Sequence, residues 1–426
     1  MPGKILEIQA DEFTKEVLEK KRVVVDFYST ECPPCEALAS KYDALSEIYG
    51  DAISFVKIFR QGNRELAGKL DITGSPTVLF YQKGVQVGER LTGGIKRSDL
   101  MRNLDALLHE DEIKEIHAKI RPVQTDADVI VLGGGPAGLT AGIYLAQAHA
   151  NVVLVDTALP GGYVSTTHQV SNYPGFIKPQ PGFMLAHFMS EQAKANGVQF
   201  RAAVEVSDVD LINKSLVIDG VETISARHVV LATGSRPRPL GITGEQEYSG
   251  KGISYCATCD AKYYEGKDVV VIGGGNSAIE ESLFIARFAK SVTIVHQFDT
   301  LQANKEAQQK AFDDPKIEVL FKHEPREFKK YDTMDMGVII EDLSTGKERE
   351  LRTNGIFVFV GFMPNIESFN EPLRLDSWGY LQTDTEMRTN LKEVYAVGDV
   401  AAKSYRQITT AVSDGTIAAI VISKQL

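Results

Sequence analysis

Two rhythms of apolar residues alternate along the chain. Val23-Val24-Val25-Asp26-Phe27-Tyr28 is an apolar strand broken by one acid. After Cys32-Pro33-Pro34-Cys35, the positions Ala37, Leu38, Tyr42, Leu45 and Ile48 recur at helical spacing. Further strands are predicted over Ile53 to Phe59 and Thr77 to Tyr81, with a turn at Lys83-Gly84 and a closing helix from Asp99 to Leu108. Ile113, Ile116 and Ile120 stand at three- and four-residue spacing among charges, which predicts a short connecting helix ended by Pro122 and a hinge from Pro122 to Asp128. Then the strand Asp128 to Leu132 runs into a glycine turn and a helix to about Ala148, followed by the strand Val152 to Val155. The same pattern returns about 140 residues later, with Asp268 to Ile272, a second glycine turn, a helix through Arg287 and the strand Val292 to Val295. Strands alternating with helices predict an α/β protein.

Composition narrows the class. The chain has 426 residues, enough for several domains, and its 43% hydrophobic and 24% charged content is ordinary for a globular protein. A formal net charge of -11 with no Lys/Arg cluster argues against a nucleic-acid partner. No apolar run is long enough to span a membrane, and Met1-Pro2-Gly3-Lys4 opens no signal peptide, so the expected location is cytoplasmic. The histidines fall in no metal-ligand spacing, and no metal site is expected.

The four cysteines carry more information. They form two C-x-x-C pairs, Cys32/Cys35 and Cys256/Cys259, with Asp260 directly after the second. Paired thiols three positions apart can open and close a disulfide by exchange, and an adjacent acid can exchange the proton. A four-cysteine zinc site has the same ligand count, but each pair sits in a context that explains it alone. Cys32 opens a predicted helix, where unpaired N–H groups and the dipole stabilise a thiolate. Gly133-Gly134-Gly135-Pro136-Ala137-Gly138 follows a strand, opens a helix and is answered by Asp156, 23 residues on, which is the dinucleotide-binding arrangement. Gly273-Gly274-Gly275-Asn276-Ser277-Ala278 repeats it.

Residues 1–110 resemble thioredoxin, through the strand bearing Asp26, the C-x-x-C opening a helix, Lys57 on the next strand, and Pro76. The resemblance implies that Cys32 is the nucleophile, that Cys35 resolves, that Asp26 and Lys57 manage the second proton, and that Pro76 is cis and faces the dithiol. The sequence departs from the usual Trp-Cys-Gly-Pro-Cys at Glu31 and at Pro33-Pro34, which bears on the redox potential and client range.

Residues 127–426 resemble a low-molecular-weight thioredoxin reductase. The matching motifs are the first glycine turn, Gly161-Gly162, Asn172-Tyr173-Pro174-Gly175, Leu231-Ala232-Thr233-Gly234-Ser235, Cys256-Ala257-Thr258-Cys259-Asp260, Gly398-Asp399, Arg406-Gln407 and Thr410-Ala411. The resemblance implies FAD held by Gly133, Gly135, Pro136, Ala137, Gly138, Asp156, Gly162, Asn172, Thr233, Gly234, Asp399, Arg406, Gln407 and Ala411. It implies a nicotinamide nucleotide near Gly273, Gly275, Asn276, Ser277, Ala278 and His296. The resulting fold is a thioredoxin domain (1–110), a linker (111–126), a discontinuous FAD domain (127–238 and 366–426) and an inserted, swivelling domain (239–365) with the central dithiol. A homodimer is the family pattern.

Electrons are then expected to pass from donor to FAD, to Cys256/Cys259, to Cys32/Cys35 and on to client disulfides. Two other readings are a peroxiredoxin-reducing flavoprotein, like that of alkyl hydroperoxide reductase, and a non-catalytic redox sensor. The first normally carries about 200 residues of thioredoxin fold, and only about 110 precede the linker here. Members of the family that use NADPH hold its 2'-phosphate with arginines in H-R-R-x-x-x-R-A. The corresponding stretch, His296 to Ala303, keeps the ends and has no arginine. NADPH is therefore disfavoured, which leaves NADH or a donor that is not a nicotinamide, such as reduced ferredoxin. Tyr163 stands where the family has glutamine.

Overall fold

The apolar run from Val23 to Phe27 is fully buried because it lies mid-sheet with helices on both sides. The computed structural model describes residues 5–167, 170, 172–331 and 335–426. Its first unit comprises β1 (Leu6–Glu7), β2 (Arg22–Tyr28), α1 (Pro33–Tyr49), β3 (Ser54–Phe59), α2 (Arg64–Lys69), β4 (Thr77–Gln82), β5 (Val85–Thr92), α3 (Arg97–Asp105) and α4 (Glu110–His117). The sheet order is β1-β3-β2-β4-β5, parallel through β2 and antiparallel beyond it. Leu38, Tyr42, Leu45 and Tyr49 of α1 pack on Val24, Phe55, Val78 and Phe80. Val25, Phe27 and Ile58 face the other side, against Phe13 and Val17.

The helix expected between the units is α4, and it packs on the first unit. Ile116 joins that unit's core. Glu112 takes both nitrogens of Arg22 at 2.7 and 2.8 Å, and the Arg22 side chain is 3% exposed.

The second unit runs through β6 (Val123–Leu132), α5 (Pro136–Gln147), β7 (Val152–Asp156), α6 (Gly182–Ala195), β8 (Gln199–Ala202), β9 (Val206–Asp210), β10 (Ser215–Ile218) and β11 (Glu222–Leu231). Most of the stretch expected as a hinge is strand: Val123 to Ala127 pair with Glu222 to Ala226. Partners on β11 hold this polar segment, which has no apolar rhythm of its own. After β12 (Ser235–Pro237) come α7 (Glu245–Tyr248), β13 (Ile253–Ser254), α8 (Ala257–Asp260), β14 (Asp268–Ile272), α9 (Asn276–Ile285), β15 (Ser291–His296), α10 (Lys305–Asp313) and β16 (Ile317–Phe321). The remainder is β17 (His323–Lys330), β18 (Met336–Asp342), β19 (Lys347–Thr353), β20 (Gly355–Val358), β21 (Phe362–Pro364), β22 (Val394–Ala396) and α11 (Ile408–Ser423).

Two dinucleotide-type sheets result. The first is ordered β8-β7-β6-β11-β10-β9 and takes β22 from the far end of the chain alongside β11. The second, β13-β20-β14-β15-β16, is built wholly from residues between β12 and β21, which pair as a two-stranded ribbon. Both crossings between the bodies therefore run through one narrow ribbon. Among the described residues, no helix is long and apolar enough to cross a membrane.

Replacing Glu112 with Ala leaves the buried Arg22 charge unpaired and should loosen α4. Trypsin is then expected to cut after Lys114 or Lys119 several-fold faster than in the native chain; equal rates would mean that apolar packing alone holds the helix.

Candidate functional site

Three groups of residues carry the chemistry. In the first unit, Cys32 and Cys35 are disulfide-bonded, and Cys32 is the N-cap of α1, its sulfur accepting from the Cys35 N–H at 3.3 Å. Cys32 is half-buried and Cys35 buried, so Cys32 is the reachable sulfur. The Ser75–Pro76 bond is cis, and the Ser75 carbonyl oxygen lies 3.5 Å from Cys32 Sγ. Glu31 takes a left-handed conformation, with φ 51°, immediately before the dithiol.

Asp26 is buried, and its Oδ1 has no hydrogen-bond partner. Burial pushes its carboxyl up to about 7, while Lys57 pulls it down and Asp43 raises it further. Lys57 is its register neighbour on β3 and pairs with Asp43 at 3.2 Å. An acid that titrates near neutrality behind a dithiol can hold or take up a proton at working pH.

The second group lies at the first glycine turn. Gly133 has φ 105°, and a Cβ there would stand 2.3 Å from the Ala232 carbonyl oxygen. Gly162, with φ 59°, faces Gly135 so closely that a Cβ would reach its Cα at 2.9 Å. Pro136, Ala137 and Gly138 open α5, whose first N–H groups face the same turn. Asp156 accepts from Gly134 N at 2.6 Å and Ala158 N at 2.8 Å, leaving a lone pair on each oxygen for hydroxyl donors.

Across the sheet ends, Thr233 Oγ1 donates to the Asn365 carbonyl at 2.7 Å, and Gly234 sits at φ 67°. Asn172 Nδ2 donates to Gln407 Oε1 at 3.2 Å, joining two segments 235 residues apart. Asp399 Oδ1 and Arg406 Nε are buried without hydrogen-bond partners, Lys403 Nζ stands 3.9 Å from that Oδ1, and the Arg406 guanidinium stacks on Tyr380 at 3.6 Å. Burial raises the Asp399 carboxyl. Ala411 is buried beside Gly398. Backbone approachable at two facing glycine turns, together with an orphaned carboxylate oxygen and guanidinium nitrogen, fits a flavin dinucleotide.

The third group is the central dithiol. Cys256 is disulfide-bonded and half-buried, with its Sγ 4.0 Å from the Thr166 carbonyl oxygen. The Cys259 side chain lies outside the described residues. Asp260 closes α8, its N–H donating to the Cys256 carbonyl at 3.3 Å. The 3-10 turn Gly162–Thr166 thus touches both the first glycine turn and the dithiol.

Tyr163, on that turn, bridges the two bodies. Its ring packs edge-on to Phe362 at 5.1 Å, and its hydroxyl donates to the Tyr255 carbonyl at 3.4 Å, one residue before Cys256. Nearby Glu281 of α9 is pushed up to about 7 by burial, and its neighbour Glu280 adds to the shift. Neither contact was foreseen from sequence, and the tyrosine was the one visible signal.

The second glycine turn has the same backbone and different company. Gly273, with φ 135°, abuts the Phe359 carbonyl, and Gly275 faces open space. Ser277 is exposed and Ala278 buried. His296 is pressed against Gly274, where a Cβ would meet its Nδ1 at 2.3 Å, and its Nε2 donates to the Thr300 carbonyl at 3.1 Å. Burial lowers its pKa. Gln302 N donates to the Gly274 carbonyl at 2.8 Å, and Asn304 N donates to Asn276 Oδ1 at 2.7 Å. Among the described residues, no group of three or more His, Cys, Asp or Glu is placed to hold a metal ion.

A thioredoxin fold joined to paired dinucleotide folds with a second dithiol between them defines an FAD-dependent disulfide oxidoreductase. Residues 127–415 match the pyridine nucleotide-disulphide oxidoreductase family and residues 4–106 match thioredoxin. The thioredoxin reductase of Peptoclostridium acidaminophilum is 42% identical over 70% of this chain and 96% of its own length. That of Bacillus subtilis is 38% identical over 68% of this chain and 92% of its own length. Among solved structures, Lactococcus lactis thioredoxin reductase in its FR conformation is 37% identical, with TM-score 0.66 over 70% of this chain and all of its own. The enzyme of T. acidophilum is 33% identical, with TM-score 0.65 over 70% of this chain and 98% of its own. The chain belongs to the thioredoxin reductase family, with a thioredoxin domain ahead of it.

Two outcomes test this geometry. Asp399→Ala should weaken FAD binding about ten- to a hundredfold, the worth of a charge-assisted hydrogen bond, measured by titrating flavin into apoprotein; undiminished affinity would exclude Asp399 as a flavin ligand. Asp26 has a folded pKa above its ordinary value of 3.8, so its neutral form is favoured and stability falls as pH rises from there to about 7. At about 1.4 kcal/mol per pH unit, Asp26→Asn should stabilise the thioredoxin unit by up to about 4 kcal/mol above pH 7 and by little near pH 4. A melting-temperature gain that is the same at both pH values would remove the explanation.

Proposed function

We propose that the chain is a thioredoxin-disulfide reductase that reduces its own fused thioredoxin, which in turn reduces client disulfides. The observation that carries the reading is the pair of dithiols on one chain, each with an acid and a reachable sulfur. Its working parts are the thioredoxin module (1–110), the connector (111–126), the discontinuous FAD domain (127–238 and 366–426) and the inserted domain (239–365) with Cys256 and Cys259.

FAD, once reduced by the donor, would supply the two electrons that open the disulfide of Cys256 and Cys259. Gly133, Gly135 and Gly162 would admit its pyrophosphate, Asp156 would take the ribose hydroxyls, Asp399 the ribityl chain, and Arg406 and Gln407 would hold the flavin ring. One thiolate of the reduced central pair attacks Cys32, forming a mixed disulfide and releasing Cys35 as a thiolate. Asp26 gives Cys35 its proton. The second central thiol attacks the mixed disulfide, closes Cys256–Cys259 and releases Cys32, with Asp260 exchanging the proton on that side. Cys32, its thiolate stabilised at the N-terminus of α1, then attacks a client, and Cys35 resolves the adduct.

NADPH is the disfavoured donor. Residues 297–304 hold no Lys or Arg and fold back on the second glycine turn through Gln302 and Asn304. Losing two charge-assisted bonds to a 2'-phosphate weakens binding roughly 10² to 10⁴-fold. NADH or reduced ferredoxin is the donor class.

In an anaerobic series, micromolar NADPH should leave the flavin oxidised while NADH or reduced ferredoxin bleaches it; rapid bleaching by NADPH would sink the donor assignment. With the working donor, Cys256→Ser should abolish insulin reduction, and Cys35→Ser should accumulate a client bound through Cys32. Full insulin reduction by the Cys256→Ser chain would rule out the relay.

A further inference from the structure

The thioredoxin module rests on the edge of the FAD body, and the contact is anchored by a lysine. Lys41 stands on the apolar face of α1 between Leu38 and Leu45 and is buried with them. Its ammonium donates to three backbone carbonyls. One is Ile95 of its own module at 3.0 Å; the others are Ala202 at 2.9 Å and Ala203 at 2.8 Å, both on the FAD body. All three N–H bonds are thereby used.

Polar pairs flank it. Ser98 Oγ donates to Glu205 at 2.9 Å, and Lys194 of α6 pairs with Glu36 of α1 at 2.5 Å. Asp219, in the turn between β10 and β11, attracts both Lys41 and Arg97. Burial of Lys41 and Arg97 lowers both pKa values, so Asp219 and the carbonyls offset a real desolvation cost.

A cleft of about 1270 Å³ lies beside this contact, with Glu31, Pro33 and Pro34 on one wall and Leu159, Pro160 and Ser165 on the other. Cys256 is not part of the wall. Its sulfur stands against the Thr166 carbonyl, and Thr166 follows Ser165 in the Gly162–Thr166 turn. Cys32 and Cys35 are bonded to each other, so the disulfide-bonded Cys256 is joined to neither of them. Exchange requires sulfurs to close to bonding distance, about 2.05 Å.

We propose that the FAD body carries a holding site for the chain's own thioredoxin module, built around Lys41, which keeps the Cys32–Cys35 pair away from Cys256 until the module is released. The contact itself stands on the geometry above; its effect on electron transfer rests on the relay reading. Residues 118–122 between α4 and β6 are the pivot.

A zero-length carbodiimide should join Glu36 to Lys194 in the flavin-loaded chain, within single chains and at a rate independent of protein concentration. Lys41→Ile, which keeps an apolar side chain and removes the donors, should lower the yield about tenfold or more, the loss expected for charged hydrogen bonds, and Lys41→Arg should retain most of it. Glu205→Lys, on the exposed opposite side, should lower it too without touching the module's core. Dithiothreitol-driven insulin reduction, which needs only a folded Cys32–Cys35 site, should be unchanged in all three. After photoreduction of the flavin, alkylation and mass measurement should find Cys32 and Cys35 reduced faster in Lys41→Ile and Glu205→Lys, in proportion to the released fraction.

Yields unchanged in both variants, or adducts formed only between chains, overturn the holding site. Lost adducts with no faster reduction overturn its blocking role. Cys32 and Cys35 staying oxidised in every variant and in the native chain removes the relay itself, and the crosslink yields then decide the contact alone.

Discussion

A pyrophosphate can lie against backbone only where no Cβ intervenes, and the larger part of this chain is arranged about one such place. Gly133 presses on the Ala232 carbonyl, and Gly162 faces Gly135 at a distance only glycines tolerate. The consequences spread along the turn that begins at Gly162. Thr166 at its end meets Cys256, Tyr163 reaches Tyr255 and Phe362, and Ser165 forms a wall of the cleft against the thioredoxin module. One close approach between glycines thus sets the relative positions of cofactor loop, central dithiol and docked module.

The elements legible in the sequence were those whose cause is local. An apolar strand ending at a glycine turn or a C-x-x-C, with a helix after it, needs only spacing to be read. Asp26 in its apolar strand and Pro76 before another were visible for the same reason. The contacts that join units were not visible. Lys41 breaks the stripe of Leu38, Tyr42 and Leu45, which flags an anomaly, but its acceptors are carbonyls 161 and 162 residues away, and carbonyls carry no signature of residue type. Val123 to Ala127 reads as a polar tether because its pairing is supplied by β11. The connecting helix was legible in its spacing, yet its docking depends on Arg22, 90 residues earlier.

The two dinucleotide folds separate what backbone determines from what side chains determine. Gly133 and Gly273 share a positive φ and the same abutment on a neighbouring carbonyl. Around the first, a buried carboxylate oxygen and guanidinium nitrogen that lack hydrogen bonds point to a ligand that completes them. Around the second, His296 lies behind Gly274, and Asn276 is already bonded to Asn304. Strand order and glycines therefore define the fold in both cases, while the side chains around the two turns differ.

On the proposed relay, joining a thioredoxin to its reductase raises a difficulty that separate proteins do not have. A short tether gives an effective concentration of order millimolar, so a tethered dithiol would revisit its reductant far more often than a dilute client. A competing contact elsewhere on the same body lowers that occupancy without lengthening the tether. The Lys41 contact has the character such a competitor needs. It joins a few bonds to backbone and to exposed or half-exposed partners such as Glu36, Lys194 and Glu205, instead of a broad apolar interface that could not open. The docked module also leaves Glu31, Pro33 and Pro34, the chain neighbours of the half-buried Cys32, lining a cleft. On the proposed relay, holding and delivery can therefore coexist, with one set of contacts governing access to Cys256 and another governing access to clients.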